Sequence, residues 1–150
     1  MKLVIQRVSK ASVTIEGEII SSIKSGLLLL VGIENADTVE DIEWLVKKTV
    51  NLRIFNDENG VMNKSIIQVQ GDAIVVSQFT LQASTKKGNR PSYIKAAKPE
   101  VAIPLYNQFV AEFENQLGKK VGTGKFGADM KVDLVNNGPV TIIIDSKNRA

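Results

Sequence analysis

A Gly-Pro step near the end of the chain limits the possible folds more than any other feature. Gly138 and Pro139 separate two strand-like runs, residues 132–135 and 140–144. Strand interiors reject proline because it donates no ladder hydrogen bond, and a glycine there marks close approach of the backbone to another group. An X-Pro bond is also the setting in which a cis peptide costs least. The segment therefore predicts either a site made of main-chain atoms or a hairpin turn, which Asn-Gly between apolar runs favours.

The chain contains no histidine and no cysteine. This excludes a Ser-His-Asp triad, a Cys-His pair, a zinc site of the usual ligands and any disulfide. An enzyme of this composition must move protons with carboxylates, lysine, tyrosine, water or the substrate itself. A metal site made only of carboxylates is the remaining option, but Asp129 and Asp133 form no ligand motif. We therefore predict no metal and no cofactor.

Length and composition predict one domain over residues 1–150. A chain of this length with 43% hydrophobic and 23% charged residues can bury a core without disulfides or structural metals. Its charged, alternating N-terminus is typical of a strand and not of a secretory signal. The longest apolar run, residues 26–33, is too short to cross a bilayer. We expect a cytoplasmic protein with no membrane partner.

Hydrophobic periodicity predicts the order strands, helix, strands, helix, strands, and hence an α/β fold. The first helix has Thr38 as its N-cap and ends near Leu52. The second runs from about Pro99 to Leu117, and Pro104 either marks its true start or kinks its first turn. Residues 26–33 are apolar on both faces, as in a strand covered on both sides. The predicted strands are residues 2–8, 11–15, 19–23, 26–33, 53–55, 66–70, 73–81, 130–135 and 140–145.

Positive charge is concentrated between Thr85 and Pro99. This segment has no acidic residue and carries Lys86, Lys87, Arg90, Lys95 and Lys98. Such a segment fits the phosphate backbone of a nucleic acid, and an ordinary solvated basic loop explains it equally well. The net charge of +3 permits an anionic partner without requiring one.

Two long motifs give the chain a resemblance to a known family. They are Ser77-Gln78-Phe79-Thr80-Leu81 and Asn136-Asn137-Gly138-Pro139-Val140-Thr141, with further matches at Gln6-Arg7-Val8, Gly88-Asn89-Arg90-Pro91 and Gly124-Lys125-Phe126-Gly127-Ala128-Asp129-Met130. Over its whole length the chain closely resembles the D-aminoacyl-tRNA deacylases. The resemblance implies a compact single domain of mixed β-sheets in a barrel-like packing, with two main helices on one side.

The resemblance also implies an activity and partners. The expected reaction is hydrolysis of the ester between a D-amino acid and the terminal adenosine of tRNA, with mischarged glycyl-tRNA as a further substrate. A ribose hydroxyl of the substrate is expected to assist a water, so the protein need not supply a strong base. The expected partners are aminoacyl-tRNA and a second copy of the chain, but not DNA. In that homodimer, Gly138 and Pro139 of one subunit reach the pocket of the other and reject L-amino acids.

The same resemblance assigns roles to individual residues. The expected catalytic residues are Ser77, Gln78, Phe79 and Thr80; the substrate-binding residues are Phe126, Met130, Gly138 and Pro139; the supporting residues are Arg7 and Asn136; the tRNA-binding residues are Lys86, Lys87 and Arg90. Backbone N–H groups of Phe79 and Thr80 are expected to hold the carbonyl oxygen as negative charge develops on it.

Other roles for these residues stay open on sequence alone. Thr80 is a nucleophile if an adjacent base activates it, and otherwise a β-branched strand residue. Ser77 is a pocket donor or a strand serine, and Gln78 contacts the adenosine or solvent. Phe79 forms the pocket wall or fills the core, and Arg7 braces the Gly-Pro loop or lies on the surface.

Two other functions are also possible for the whole chain. A noncatalytic tRNA-binding β-barrel would use the same basic segment, but it would need aromatic residues for base stacking, and only 5% of residues are aromatic. A general esterase or peptidase would need a nucleophile and base pair that this composition does not readily supply.

Overall fold

The order of helices and strands follows the predicted order. The computed structural model describes residues 1–149, and residue 150 lies outside them. The strands in these residues are β1 (Lys2–Ile15), β2 (Glu18–Ile23), β3 (Gly26–Gly32), β4 (Phe55–Asn56), β5 (Met62–Lys64), β6 (Asp72–Ser77), β7 (Gly122–Thr123) and β8 (Lys131–Asp145). The helices are α1 (Val39–Asn51) and α2 (Pro99–Leu117).

Strand β1 organises the main sheet. Its residues 2–8 pair antiparallel with β3, and its residues 11–15 pair antiparallel with β2. Strand β8 runs antiparallel along the other edge of β1 over nearly its whole length. Beyond β3 the sheet continues in parallel through β6 and β7, so its order is β2-β1-β3-β6-β7 with β8 beside β1. The result is a nearly closed, barrel-like sheet with two helices, which confirms the predicted fold class.

Apolar side chains cover both faces of the central parallel strands. On one face, Leu29 and Val75 pack in a cluster with Leu45 of α1 and Phe109 of α2. On the other face, β3 and β6 pack against the second half of β1 and the first half of β8. Every residue of β3 except Leu30 is buried, which confirms the prediction of a doubly covered strand.

Both predicted helices form near their expected limits. Thr38 is the N-cap of α1, and Asp41 Oδ2 accepts a hydrogen bond from the Thr38 backbone N–H at 2.8 Å. Helix α2 begins at Pro99, which needs no hydrogen-bond acceptor at the first helical position. A start near Pro104 is therefore wrong, because Pro104 lies inside the helix.

Several of the predicted strands need correction. Residues 2–8 and 11–15 form the single strand β1. Residues 66–70 form turns, because Ser65 and Gln68 exchange side-chain-to-backbone hydrogen bonds of 2.8 and 3.3 Å that favour a local turn. The strand predicted at 73–81 ends at Ser77, and Phe79–Gln82 forms a 3₁₀ turn because the partner strand β3 ends at Gly32. The strand predicted at 53–55 is shifted to Phe55–Asn56.

The Gly-Pro segment lies inside one strand and is not a hairpin. Asn136 is opposite Val8 and Thr141 is opposite Gln6, so both flanks of the segment pair with β1. Residues 137–140 therefore face Arg7 alone and form a bulge in β8. The hairpin interpretation is wrong, because the arms of a hairpin would pair with each other. The peptide bond between Gly138 and Pro139 is cis.

Candidate active site

A cavity of about 320 Å³ lies at the carboxyl ends of the parallel strands β3 and β6. In both open and closed α/β sheets, ligands bind outside the carboxyl ends of the parallel strands. Much of its wall is apolar, with contributions from Val31, Val76 and Val132. The predicted site residues that line the cavity are Ser77, Gln78, Phe79, Phe126 and Met130.

Residues 77–80, which we call the corner, carry the chain from β6 into the 3₁₀ turn. Gln78 Nε2 donates a hydrogen bond of 2.6 Å to Thr80 Oγ1. An amide nitrogen cannot accept a proton, so Gln78 cannot activate Thr80 as a nucleophile. Because its oxygen accepts this bond, the Thr80 hydroxyl keeps its own proton for donation to another group.

The corner also presents backbone donors. The first N–H groups of a helical turn have no acceptor within that turn. The N–H of Gln78 donates to Val31 O at 2.7 Å and that of Leu81 donates to Gln78 O at 3.2 Å. Between them, the N–H groups of Phe79 and Thr80 donate to no group in residues 1–149. These two donors are available to an oxygen atom of a ligand.

Two residues that the sequence analysis did not select hold the corner in place. Buried Gln82 donates from Nε2 to Gly32 O at 2.9 Å, which fixes the 3₁₀ turn to the end of β3. A Cβ atom on Gly32 would lie 2.7 Å from Leu81 Cβ and 3.1 Å from Gln78 O. Only glycine permits this approach. The one available signal was a glycine near the end of an apolar strand.

Tyr106 supports the opposite wall of the cavity and was also missed. Its hydroxyl donates to Val75 O at 2.6 Å, and its ring centroid lies 6.3 Å from that of Phe126. Burial raises the pKa of Tyr106 to about 12, so the phenol stays protonated and keeps this bond at neutral pH. Helix α2 is thereby joined to β6 and to the cavity wall.

The bulge, residues 137–140, is braced from behind by a buried arginine. Arg7 Nε donates to Asn137 O at 2.9 Å, and Arg7 Nη1 donates to Ile54 O at 2.7 Å. Asn136 Oδ1 accepts from the Val140 N–H at 3.1 Å, which ties the two ends of the bulge together. Gly138 and Pro139 are exposed, and within residues 1–149 neither lines the cavity. The predicted site residues therefore form two separate groups.

The basic loop, residues 84–92, is attached to the cavity at both ends. Ser84 and Ser92 exchange backbone hydrogen bonds of 2.8 and 2.9 Å that close the loop. It begins directly after the 3₁₀ turn, and the chain that leaves it returns to the cavity wall at Ala97. The predicted tRNA-binding residues Lys86, Lys87 and Arg90 lie exposed on this loop.

The described residues contain no group of three or more carboxylate, histidine or cysteine side chains placed to hold a metal ion. No helix in residues 1–149 is long and apolar enough to span a membrane.

The fold and the cavity define a class of protein: a mixed α/β protein with an apolar cavity at the carboxyl ends of its parallel strands. The D-Tyr-tRNA(Tyr) deacylase family model matches residues 4–145. Relatives named D-aminoacyl-tRNA deacylase from Flavobacterium psychrophilum and Phocaeicola vulgatus are each 68% identical to the chain over 149 residues, covering 99% of both sequences. The chain belongs to the D-Tyr-tRNA(Tyr) deacylase family and is an ester hydrolase.

Solved structures share this fold. One, described as c-Myc DNA Unwinding Element Binding Protein, superposes with a TM-score of 0.92 at 44% identity and covers 97% of this chain and 98% of that chain. A second, described as "a probable eukaryotic D-amino acid tRNA deacylase", superposes with a TM-score of 0.83 at 15% identity and covers 95% and 97%. The predicted family and enzyme class are confirmed.

Proposed function

We propose that this enzyme hydrolyses the ester bond of D-aminoacyl-tRNA to free tRNA and a D-amino acid, and that it also removes glycine mischarged onto tRNA. The observation that carries the proposal is an apolar cavity of about 320 Å³ with Phe79 on its wall, beside a corner where the N–H groups of Phe79 and Thr80 have no acceptor in residues 1–149. The names of the relatives support the same substrate. The reaction is a proofreading step of translation and takes place in the cytoplasm.

Hydrolysis at this site needs little from the side chains. A water oxygen attacks the ester carbonyl carbon, and the N–H groups of Phe79 and Thr80 stabilise the developing negative charge on the carbonyl oxygen. Each well-placed donor of this kind contributes about 3–4 kcal/mol. The neighbouring ribose hydroxyl orients the water and relays its proton to the departing ribose oxygen. The Thr80 hydroxyl stays a hydrogen-bond donor, because its partner Gln78 is not a base.

Chiral selection takes place in a homodimer. Gly138 and Pro139 are exposed and do not line the cavity of their own subunit within the described residues, and in this proposal they complete the cavity of a second subunit. Their carbonyl oxygens receive the ammonium group of the amino acid, and their rigid main chain fills the space that an L side chain would need. Glycine has no side chain and escapes this exclusion. A two-fold dimer makes both contacts at once.

A noncatalytic tRNA-binding β-barrel is the alternative function, and the basic loop favours it as much as it favours a deacylase. The two functions differ in whether bound substrate is cleaved. DNA is not an expected partner, although one structural neighbour is named for binding a DNA element.

A single-turnover assay tests the proposal. D-Tyr-tRNA, L-Tyr-tRNA and Gly-tRNA are each incubated with the protein, with and without a chelator, and the release of free amino acid is followed. We expect cleavage of the D-tyrosyl and glycyl esters, protection of the L-tyrosyl ester, and no effect of the chelator. Tight binding of all three without cleavage would instead support the noncatalytic module, and loss of cleavage with the chelator would support a metal-dependent hydrolase.

A further inference from the structure

Two aromatic rings are exposed at the edge of the cavity. Phe79 and Tyr93 have their ring centroids 5.1 Å apart at an interplanar angle of 72°, which is an edge-to-face contact. Phe79 is 54% exposed and Tyr93 is 41% exposed. By contrast, Phe109 and Phe113 of α2 are fully buried. Large exposed apolar groups grouped beside a cavity are typical of a binding surface.

Tyr93 of the aromatic pair lies in the most basic segment of the chain, between Thr85 and Pro99. Tyr93 follows the basic loop directly, and Lys95 and Lys98 come next along the chain. Both lysines are exposed. The Ala97 N–H donates to Ile33 O at 2.9 Å, which joins the segment to the residue that follows β3. An aromatic platform among cations is the usual surface for a single nucleic-acid strand, with bases on the rings and phosphates on the cations.

We propose that Tyr93 stacks on the unpaired base that precedes the terminal adenosine of the substrate tRNA, while Lys95 and Lys98 bind the adjacent phosphates. The inference rests on the proposed function. When the ester lies at the corner, the terminal adenosine occupies the cavity, and the preceding nucleotide leaves the cavity at its edge. The exposed rings and the cations together complement that nucleotide, whose base has an apolar face and whose phosphate is negative.

Tyr93 is therefore a positioning residue and takes no part in bond cleavage. Its contribution applies only to substrates that have a nucleotide before the terminal adenosine. Loss of the ring should raise KM for D-Tyr-tRNA and leave kcat nearly unchanged. The same loss should have no effect on D-tyrosyl-adenosine, which contains the ester and the terminal nucleoside alone.

The experiment compares Tyr93→Leu, Tyr93→Phe and the neighbouring control Ile94→Ala on both substrates. Ile94 is 83% exposed on the same segment but does not belong to the aromatic pair. Stacking of one base contributes about 1–3 kcal/mol, so Tyr93→Leu should raise KM for D-Tyr-tRNA by at least about 5-fold. Tyr93→Phe and Ile94→Ala should stay within about 2-fold of the unmodified protein, as should all three variants on D-tyrosyl-adenosine.

Several outcomes would overturn the inference. If Tyr93→Leu raises KM equally for D-Tyr-tRNA and D-tyrosyl-adenosine, Tyr93 only supports Phe79. If the variant leaves KM for D-Tyr-tRNA unchanged, no base stacks on Tyr93. Binding of uncharged tRNA gives a readout that does not depend on cleavage. Removal of the last three nucleotides should weaken binding by the unmodified protein more than binding by Tyr93→Leu, because the variant has already lost the stacking contact. If the unmodified protein cleaves neither ester, the proposed function fails, and this binding difference still decides the inference.

Discussion

The corner and the bulge are both interruptions of the sheet, but they have opposite shapes. At the corner, the chain leaves β6 where β3 ends, and it forms one side of a cavity. At the bulge, residues 137–140 face a single residue of β1 and project into solvent. The corner presents backbone N–H donors, whereas the bulge presents main chain with no cavity of its own. In our proposal, the exposed bulge of one subunit therefore completes the cavity of another.

The two regions are secured by the same kind of contact. Gln82 donates to Gly32 O at the corner, and Arg7 donates to Asn137 O at the bulge. Both side chains are buried, and both bind the carbonyl of a residue distant in sequence. A buried donor without its acceptor costs about 1–3 kcal/mol, so each contact holds an irregular backbone in a single conformation. Both main-chain features of this protein thus depend on a single buried polar side chain behind them.

The largest expected effect comes from Gly138→Ala. Gly138 has a φ of 135°, and a Cβ atom there would lie 2.9 Å from Arg7 Nη2 and 2.9 Å from Val140 Cγ2. The bulge must then shift, and misplacement by about 1 Å costs about 100-fold in rate, so we expect that loss of kcat/KM on D-Tyr-tRNA. Gly17→Ala is the control, since Gly17 also has a positive φ but has nothing within 4 Å. Equal activity of the two variants would mean that the bulge has no part in the site.

Replacement of Arg7 by lysine tests the brace behind the bulge. Lysine keeps the charge but cannot donate to Asn137 O and Ile54 O in the same geometry. We expect the free energy of unfolding to fall by about 1–3 kcal/mol, with slower cleavage of D-Tyr-tRNA. Arg53→Lys is a matched control, because Arg53 is exposed and donates to Asn63 O at 3.0 Å. A similar small effect in both variants would contradict a bracing role.

The pH dependence of stability tests the anchor at the end of β8. Burial acts to raise the pKa of Asp41, but hydrogen bonds from Ser146 and the Thr38 N–H, with the charge of Lys147, lower it from 3.8 to about 2. Because the pKa of Asp41 is lower in the folded state than in the unfolded state, its carboxylate stabilises the fold by about 2 kcal/mol above about pH 4. This stabilisation is lost as the pH falls through about 2.

The measurement compares the unmodified protein with Asp41→Asn. Their difference in free energy of unfolding should be constant near neutral pH, shrink below about pH 4 and vanish near pH 2. The exposed residue Asp133 provides a control variant, Asp133→Asn, for which we expect a smaller difference. A difference between the unmodified protein and Asp41→Asn that does not change with pH would refute the role of the Asp41 carboxylate.

The basic loop should affect binding more weakly and in a salt-dependent way. Replacement of Lys86, Lys87 and Arg90 by glutamine removes the three phosphate contacts that we propose for this loop. The slope of log affinity for tRNA against log salt should become shallower by about 2–3. The matched control replaces Lys10, Lys24 and Lys47, which are exposed elsewhere. If both triple variants change the slope equally, the loop acts only through net charge.

The smallest effect is expected for Thr80→Val. This variant removes the hydroxyl that accepts from Gln78 and leaves the backbone donors of the corner in place. We expect kcat to fall by no more than about 10-fold, whereas loss of a covalent nucleophile costs about 10⁴-fold or more. A loss of the larger size, together with an acyl-enzyme trapped in the unmodified protein and absent from Thr80→Val, would show that Thr80 is the nucleophile.

Local sequence patterns were sufficient to predict the two helices and strand β3. Residues that repeat every three or four positions between Thr38 and Leu52 predict α1 without knowledge of its neighbours, because helical hydrogen bonds are made within the segment. An uninterrupted apolar run likewise predicts a strand covered on both faces. The two motifs and the family resemblance also located the corner and the bulge along the chain. The absence of histidine and cysteine excludes most of the common hydrolytic sites by composition alone.

Tertiary structure decided what the local patterns left ambiguous. Asn137 and Gly138 favour a hairpin by themselves, and only the pairing of both flanks with β1 makes the segment a bulge. The partner of Gln82 lies 50 residues away and that of Tyr106 lies 31 residues away, so no spacing rule could find them. The sequence by itself determined the helices, the buried strand, the family and the chemistry that is excluded. Only the fold decided which residues share a cavity, because contacts between distant segments depend on how the sheet closes.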